Sequence, residues 1–217
     1  MSNKLENKTE QEQIKWYYFY TPEYEIWHQH FQSRLKPTFD LIPITLDKID
    51  THYQHSYHHF TGSTDRMKIV IEVIKQNLGK KIVFSDVTWV INKDKINELK
   101  EIIENCNETT YAQNSLQTDA VNIGLICINC TVEEVELWSY CLGQIEENRN
   151  LHEQSVIDRR LKSKPMFNPQ KVKADMIYDA KQFEGYLALK IFTPSNIDHE
   201  SRFNFRLNVV RQYNLDF

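Results

Sequence analysis

The sequence predicts an α/β protein, and three observations carry that prediction. Short apolar, β-branched or aromatic runs alternate with longer amphipathic stretches, the pattern of strands interleaved with helices. An acidic residue, Asp86, stands at the end of one such run, where ligands gather in an open α/β sheet. The chain has 217 residues and is 41% hydrophobic, enough to bury the core of one domain of that class.

Residues 1–13 are almost all polar or charged and read as a flexible leader to a domain spanning 14–217. Ile14–Tyr20 is an aromatic strand that stops at Thr21-Pro22. Pro22 suits the first turn of a helix running through Trp27 and Phe31 to about Leu35. Leu41–Leu46 is a second strand. Thr51–His59 holds four of the eight histidines. His52, His55 and His59 share a face only if the stretch is helical, and no Cys or carboxylate accompanies them, so a polar connection is preferred to a metal site. Thr61-Gly62-Ser63-Thr64 breaks the chain, with Ser63 or Thr64 capping a helix from about Asp65 to Asn77–Gly79.

The central stretch Lys80–Lys93 follows: a strand over Ile82–Phe84, then Ser85-Asp86-Val87-Thr88, then a second apolar run, Trp89–Ile91. A carboxylate between two buried strand halves must be paired or ligated. Asp86 is therefore read as marking a cleft, the competing reading being a turn cap. Asp94 is expected to cap the next helix, through Glu104, and Tyr111–Thr118 reads as a polar turn. Asp119 leads a strong strand, Ala120–Asn129, interrupted by Gly124; a glycine inside a strand often marks close approach of a ligand or another backbone. Thr131 and Glu134 form a capping box for a helix over Val132–Glu147, whose stripe Val135, Trp138, Leu142 and Ile145 is read as core. Leu151–Asp158 is a short helix. Met176–Tyr178 and Tyr186–Leu189 are strands, and Arg202–Tyr213 is a basic amphipathic tail.

Several function classes drop out. The net charge of −4, with the two signs interspersed, excludes a broad basic face for nucleic acid. No apolar run is long enough for a membrane span and no signal peptide is recognisable, which leads to the expectation of a cytoplasmic location, in a cell or an infected host. Neither glycine-rich phosphate loop is present. Cys127 and Cys130 form a C-x-x-C, but no second pair completes a zinc set. Cys127 falls within an apolar strand, so a small buried hydrophobe is favoured over a redox or metal role.

Four features in order resemble the nucleotide-diphospho-sugar transferases of the GT-A fold, including members encoded by large DNA viruses. They are the helix with Arg66 and Lys68 leading through Gly79 to IVFSDVTWVI, where the family carries its D-x-D; Asp119 followed by VNIGLICI, like the family's acid and N-x-G strand; HEQSVID, similar to its D-Q helix start; and Asp198-His199 near the end. The resemblance spans roughly Trp16 to Tyr213. It implies a single GT-A-like (Rossmann-like) domain with a mixed central sheet flanked by helices, transferring sugar from a nucleotide-sugar donor to a glycan or glycoprotein acceptor. Donor contacts are then expected from Tyr20, Thr21, Arg66, Lys68, Asp86, Val87, Thr88, Asn122 and Gly124. Tyr20 and Thr21 equally suit core and cap roles.

The resemblance also implies a divalent cation, Mn²⁺ or Mg²⁺, neutralising the departing diphosphate. Here the last position of the D-x-D is Thr88, a hydroxyl, so metal affinity is expected to be weak or absent unless Asp86 and His199 hold the ion together. His199 also reads as an ordinary surface histidine. Lys68 is an alternative source of positive charge. If the reaction inverts the anomeric centre, Asp119 and Glu153 are the candidate bases for the acceptor hydroxyl; a retaining reaction needs neither. The runner-up is a catalytically degenerate GT-A domain that binds a nucleotide, glycan or protein, and a third reading is an α/β interaction protein whose cleft is incidental.

Overall fold

The computed structural model describes residues 12–45, 60–115, 118–148, 151–163, 170–172, 174–177, 188–191 and 204–208. Residues 1–11 of the polar leader, the histidine-rich segment and Asp198-His199 lie outside them, whereas Glu12, within the leader, pairs with Lys80 at 2.8 Å. The element order is β1 (Lys15–Tyr20), α1 (Glu25–Leu35), β2 (Asp40–Thr45), α2 (Phe60–Gln76), β3 (Lys81–Asp86), β4 (Trp89–Ile91), α3 (Ile96–Asn105), β5 (Thr110–Ser115), β6 (Thr118–Asn129), α4 (Val132–Glu147), α5 (Glu153–Lys162), β7 (Gln170–Val172), β8 (Ala174–Ile177) and β9 (Ala188–Ile191). Single 3-10 turns at Pro22–Tyr24 and Lys93–Lys95 lead into α1 and α3.

Six strands form a mixed sheet in the order β2-β1-β3-β6-β5-β7, and a small sheet has the order β4-β9-β8. β2, β1 and β3 run parallel, while β6 runs antiparallel to both β3 and β5. The chain leaves β1 through α1 to β2 on one side, then crosses back through α2 to β3 on the other. Since such crossovers are right-handed, opposite directions put α1 and α2 on opposite faces. The two helices must diverge above the carboxyl ends of β1 and β3, which opens a crevice there.

Both faces are covered, so β1 and β3 bury four consecutive residues each. On one face Trp16, Tyr18, Val83 and Cys127 meet Trp27, Phe31 and Leu35 of α1, Leu99 and Ile103 of α3, and Trp89–Ile91 of β4. On the other, Tyr17, Phe19, Phe84, Ile126 and Ile128 meet Met67 and Ile74 of α2, Trp138 and Ile145 of α4, and Ile157 and Leu161 of α5. Buried polar groups bridge the strands to their neighbours: Trp16 Nε1 donates to Ser85 Oγ at 2.8 Å, and Asn77 Nδ2 donates to the Tyr17 hydroxyl at 3.2 Å.

Most expected elements are present, α4 with the expected bounds and Thr131 Oγ1 accepting from the Glu134 amide at 3.2 Å. Three expectations are corrected. Thr110–Ser115 is a strand rather than part of a turn. Its polar side chains hide that, because ladder bonds to β6 on one side and β7 on the other satisfy its backbone whatever the side-chain pattern. α2 begins at Phe60, before the expected cap at Ser63 or Thr64. The weak propensities of Thr, Gly and Ser cost under about 1 kcal/mol each. With the helix already nucleated around the buried Met67, Val70, Ile71 and Ile74, each added residue gains a backbone hydrogen bond without a new nucleation cost. Finally, the turn into α3 is capped by the Asn92 side chain, which accepts from the Asp94 amide at 3.1 Å; Asp94 is the first-turn acid rather than the cap.

Candidate active site at the ends of β1 and β3

β3 ends at Asp86, and its register with β1 sets Asp86 beside Phe19. Side chains alternate between faces along a strand, so Asp86 shares the α2 face with Phe84, while Ser85 and Val87 turn to the α1 face. Helix α2 supplies the partner. Arg66 Nη1 donates to Asp86 Oδ1 at 2.8 Å, and Nη2 donates to the backbone carbonyl of Ile123 on β6 at 3.0 Å. Its guanidinium lies over the Phe19 ring, 5.1 Å from the centroid, and 3.7 Å from Glu153 Oε1 at the start of α5. One side chain thus joins β1, β3, β6, α2 and α5.

Burial pulls the Arg66 pKa down, but the charges of Asp86 and Glu153 and the hydrogen bond to Asp86 outweigh it and hold it above its usual value. Arg66 therefore stays cationic at every ordinary pH. Its guanidinium faces two carboxyl groups, those of Asp86 and Glu153. Such a group accepts hydrogen bonds from hydroxyls through carboxylate oxygens fixed by a planar donor.

β6 owes its shape to the N-I-G sequence. Tyr111 pairs with Ile126 but the next residue, Ala112, pairs with Asn122. Residues 123–125 are looped out of that ladder, a bulge that bends the strand. Asn122 is buried, and its Oδ1 accepts from the Gly124 amide at 2.8 Å. The bend leaves the Ile123 carbonyl for Arg66. Asn122 and Gly124, read from the sequence as donor contacts, here shape the strand that carries a wall of the site. Asp158 fixes the same strand to α5 by accepting from the Val121 amide at 3.1 Å.

On the α1 face, Tyr20 ends β1 with its ring stacked on His28, centroids 4.4 Å apart. The Tyr18 hydroxyl shares a 3.0 Å hydrogen bond with His28 Nδ1 and accepts from Gln32 Nε2 at 3.2 Å. Thr21 precedes the 3-10 turn, its carbonyl accepting from the Tyr24 amide at 2.8 Å. Val87 extends the ladder by donating to the Phe19 carbonyl at 3.2 Å, and Thr88 is buried. Together these two residues form the elbow between the large sheet and β4.

The structure thus gathers Arg66, Asp86 and Glu153, with Tyr20 and Thr21 at the end of the adjacent strand. Lys68 does not join them. It is exposed and pairs with Glu146 of α4 at 3.2 Å. Asp119 lies on the first half of β6. Phe19, His28 and the Ile123 carbonyl escaped sequence reading, since the register that sets Phe19 beside Asp86 belongs to the sheet and not to any local pattern.

The described residues do not assemble a metal set. Among them no group of three His, Cys, Asp or Glu side chains is placed to hold an ion, Asp86 is engaged by Arg66, and His199 lies outside them.

No family model and no curated protein matches the sequence. Structures do match. A glycosyltransferase involved in glycosylating the major capsid of the virus PBCV-1 superposes with a TM-score of 0.56 at 10% identity, covering 89% of this chain and 98% of that one. The apo form of glycosyltransferase GlyE of Streptococcus pneumoniae TIGR4 gives 0.56 at 13% identity, covering 94% of this chain and 64% of that chain. The chain shares the fold of these two structures. It is of the α/β, GT-A-like kind that the sequence led one to expect. In this fold the Arg66 cluster occupies the ends of β1 and β3, at the switch in strand order. No described helix is long and apolar enough to cross a membrane.

Proposed function

We propose that the protein transfers a sugar from a nucleotide-diphospho-sugar donor to a glycan or protein-linked acceptor. The observation that carries this reading is the Arg66–Asp86–Glu153 cluster at the strand ends of a glycosyltransferase fold. Asp86 and Glu153 accept hydrogen bonds from ribose or sugar hydroxyls, and Arg66 holds both carboxylates in place. The stacked Tyr20 and His28 offer an aromatic edge to the base, with Thr21 beside it. Asp119 and Glu153 are the carboxylates proposed to take the acceptor proton if the reaction inverts the anomeric centre.

The diphosphate needs positive charge, and Arg66 is already engaged by Asp86 and Glu153. A divalent cation would supply it as a Lewis acid for the leaving group, and Asp86 with His199 is the proposed pair to hold it. Binding there competes with Arg66 for Asp86, so the affinity for Mn²⁺ is low in the absence of donor.

The deciding experiment is a thermal-shift panel of UDP-, GDP-, CMP- and dTDP-sugars with and without Mn²⁺, followed by donor hydrolysis for any that binds. A raised midpoint with one nucleotide class, through binding to the folded state alone, together with hydrolysis supports the transferase. A raised midpoint without hydrolysis or transfer supports a binding module, the second reading, which the hydroxyl of Thr88 in a metal-ligand position favours. No shift with any donor overturns the transferase and leaves a glycan- or protein-binding domain.

A further inference from the structure

Away from the cleft, two thiols face each other. Cys106 caps the carboxyl end of α3, and Cys127 lies on β6 between Val83 of β3 and Thr110 of β5. Their sulfurs are 3.4 Å apart and share a hydrogen bond, while Cys106 Sγ also lies 3.1 Å from the Ile103 carbonyl. The C-x-x-C of the sequence is a different pair. Cys127 and Cys130 are an odd number of residues apart, so they leave the strand on opposite faces. Cys127 sits in the α1-side core and Cys130 in the α2-side core.

We propose that Cys106 and Cys127 are a site of reversible oxidative modification, closing to an intramolecular disulfide by exchange with a low-molecular-weight disulfide. The gap of 3.4 Å must shrink by about 1.4 Å to reach a sulfur–sulfur bond. The electrostatics favour Cys106 as the attacking sulfur. Its pKa is lowered, first by the hydrogen bond from Cys127 and then, against burial, by the Lys81 ammonium and Thr110. Cys127 is raised by the same hydrogen bond and by burial. A low-pKa thiolate beside a protonated thiol is the arrangement of an attacking and a resolving cysteine.

The step balances. The Cys106 thiolate attacks one sulfur of R–S–S–R, forming Cys106–S–S–R and releasing RS⁻. The Cys127 thiol then gives up its proton and attacks the Cys106 sulfur, expelling the second RS⁻. Two protein thiols lose two electrons, and one small disulfide is reduced to two thiols. Both cysteines are buried, but Cys106 stands between exposed Asn105 and Asn107, at a helix end of the kind that frays. Opening that last turn admits the oxidant.

The test is to hold the folded protein in glutathione disulfide, remove the excess, unfold it in denaturant with N-ethylmaleimide so that every remaining thiol is blocked, and map the peptides. The expected result is the loss of two of the four alkylatable thiols, no retained glutathione, and a Cys106–Cys127 cross-link that dithiothreitol reverses. Cys127→Ser is expected to trap glutathione on Cys106. The wild-type map decides the question even if that variant does not fold. Four thiols still alkylatable, a stable glutathione adduct on the wild type, or a Cys127–Cys130 cross-link would overturn the proposal.

Discussion

Arg66 concentrates more structural consequence than any other described side chain in the cleft. It is the part-buried cation between two acids, and losing a hydrogen bond to a charged group costs about 1.5–3 kcal/mol. Arg66→Ala is expected to approach that loss in urea denaturation and to abolish nucleotide-sugar binding. Arg66→Lys keeps the charge but not the fork that reaches both Asp86 and the Ile123 carbonyl. It should keep most of the stability and little of the binding. Equal effects of the two variants on binding would show that charge alone matters. Tyr18 gives a second test. Burial pushes its pKa up to about 12, against the hydrogen bond from Gln32. The folded state then holds a proton that the unfolded chain releases near pH 10, so this stability is present below that pH and falls away as pH rises from about 10 towards 12. Tyr18→Phe should flatten the denaturation midpoint over that window relative to the wild type.

Among the elements, the turns entering and leaving the central strands make the clearest predictions. Gly79 joins α2 to β3 with φ of +78°, and nothing lies within 4 Å of where a Cβ would stand. Gly79→Ala therefore isolates backbone strain and should cost about 1–2 kcal/mol; a neutral substitution in thermal melts would mean that the turn relaxes. Asn122→Ala removes the acceptor for the buried Gly124 amide at the β6 bend. A loss of about 1–3 kcal/mol should come with weaker donor binding, since the bend presents the carbonyl that holds Arg66. The elements also show where sequence reading succeeds. β1, β3 and α4 are legible because burial on two faces, or on one stripe, writes itself into residue type. β5 is not, because its backbone partners alone decide its conformation. The ion pair of Arg66 with Asp86 joins residues 20 positions apart. Both residues were visible as candidates, but their meeting depends on the crossing of α2 over β1, which no local pattern records. The pairing of Cys106 with Cys127 was masked in the same way by the nearer Cys130.

For the whole molecule, the two sheets meet at the elbow Val87-Thr88, and the small sheet is held from several sides. Arg34 of α1 donates to the Ile91 carbonyl at 2.8 Å, and β4 pairs antiparallel with β9, Trp89 opposite Lys190. The strand following Asp86 is therefore completed by residues 188–191, a hundred positions downstream. Read as a schedule of synthesis, this means that the ribosome makes Asp86 early and its supporting neighbour late. A nascent chain halted before residue 188 carries Arg66, Asp86 and Glu153 but leaves β4 an unpaired edge. Domains fold as units while they are made, so donor binding should switch on abruptly, once β9 has left the ribosome, rather than grow with chain length.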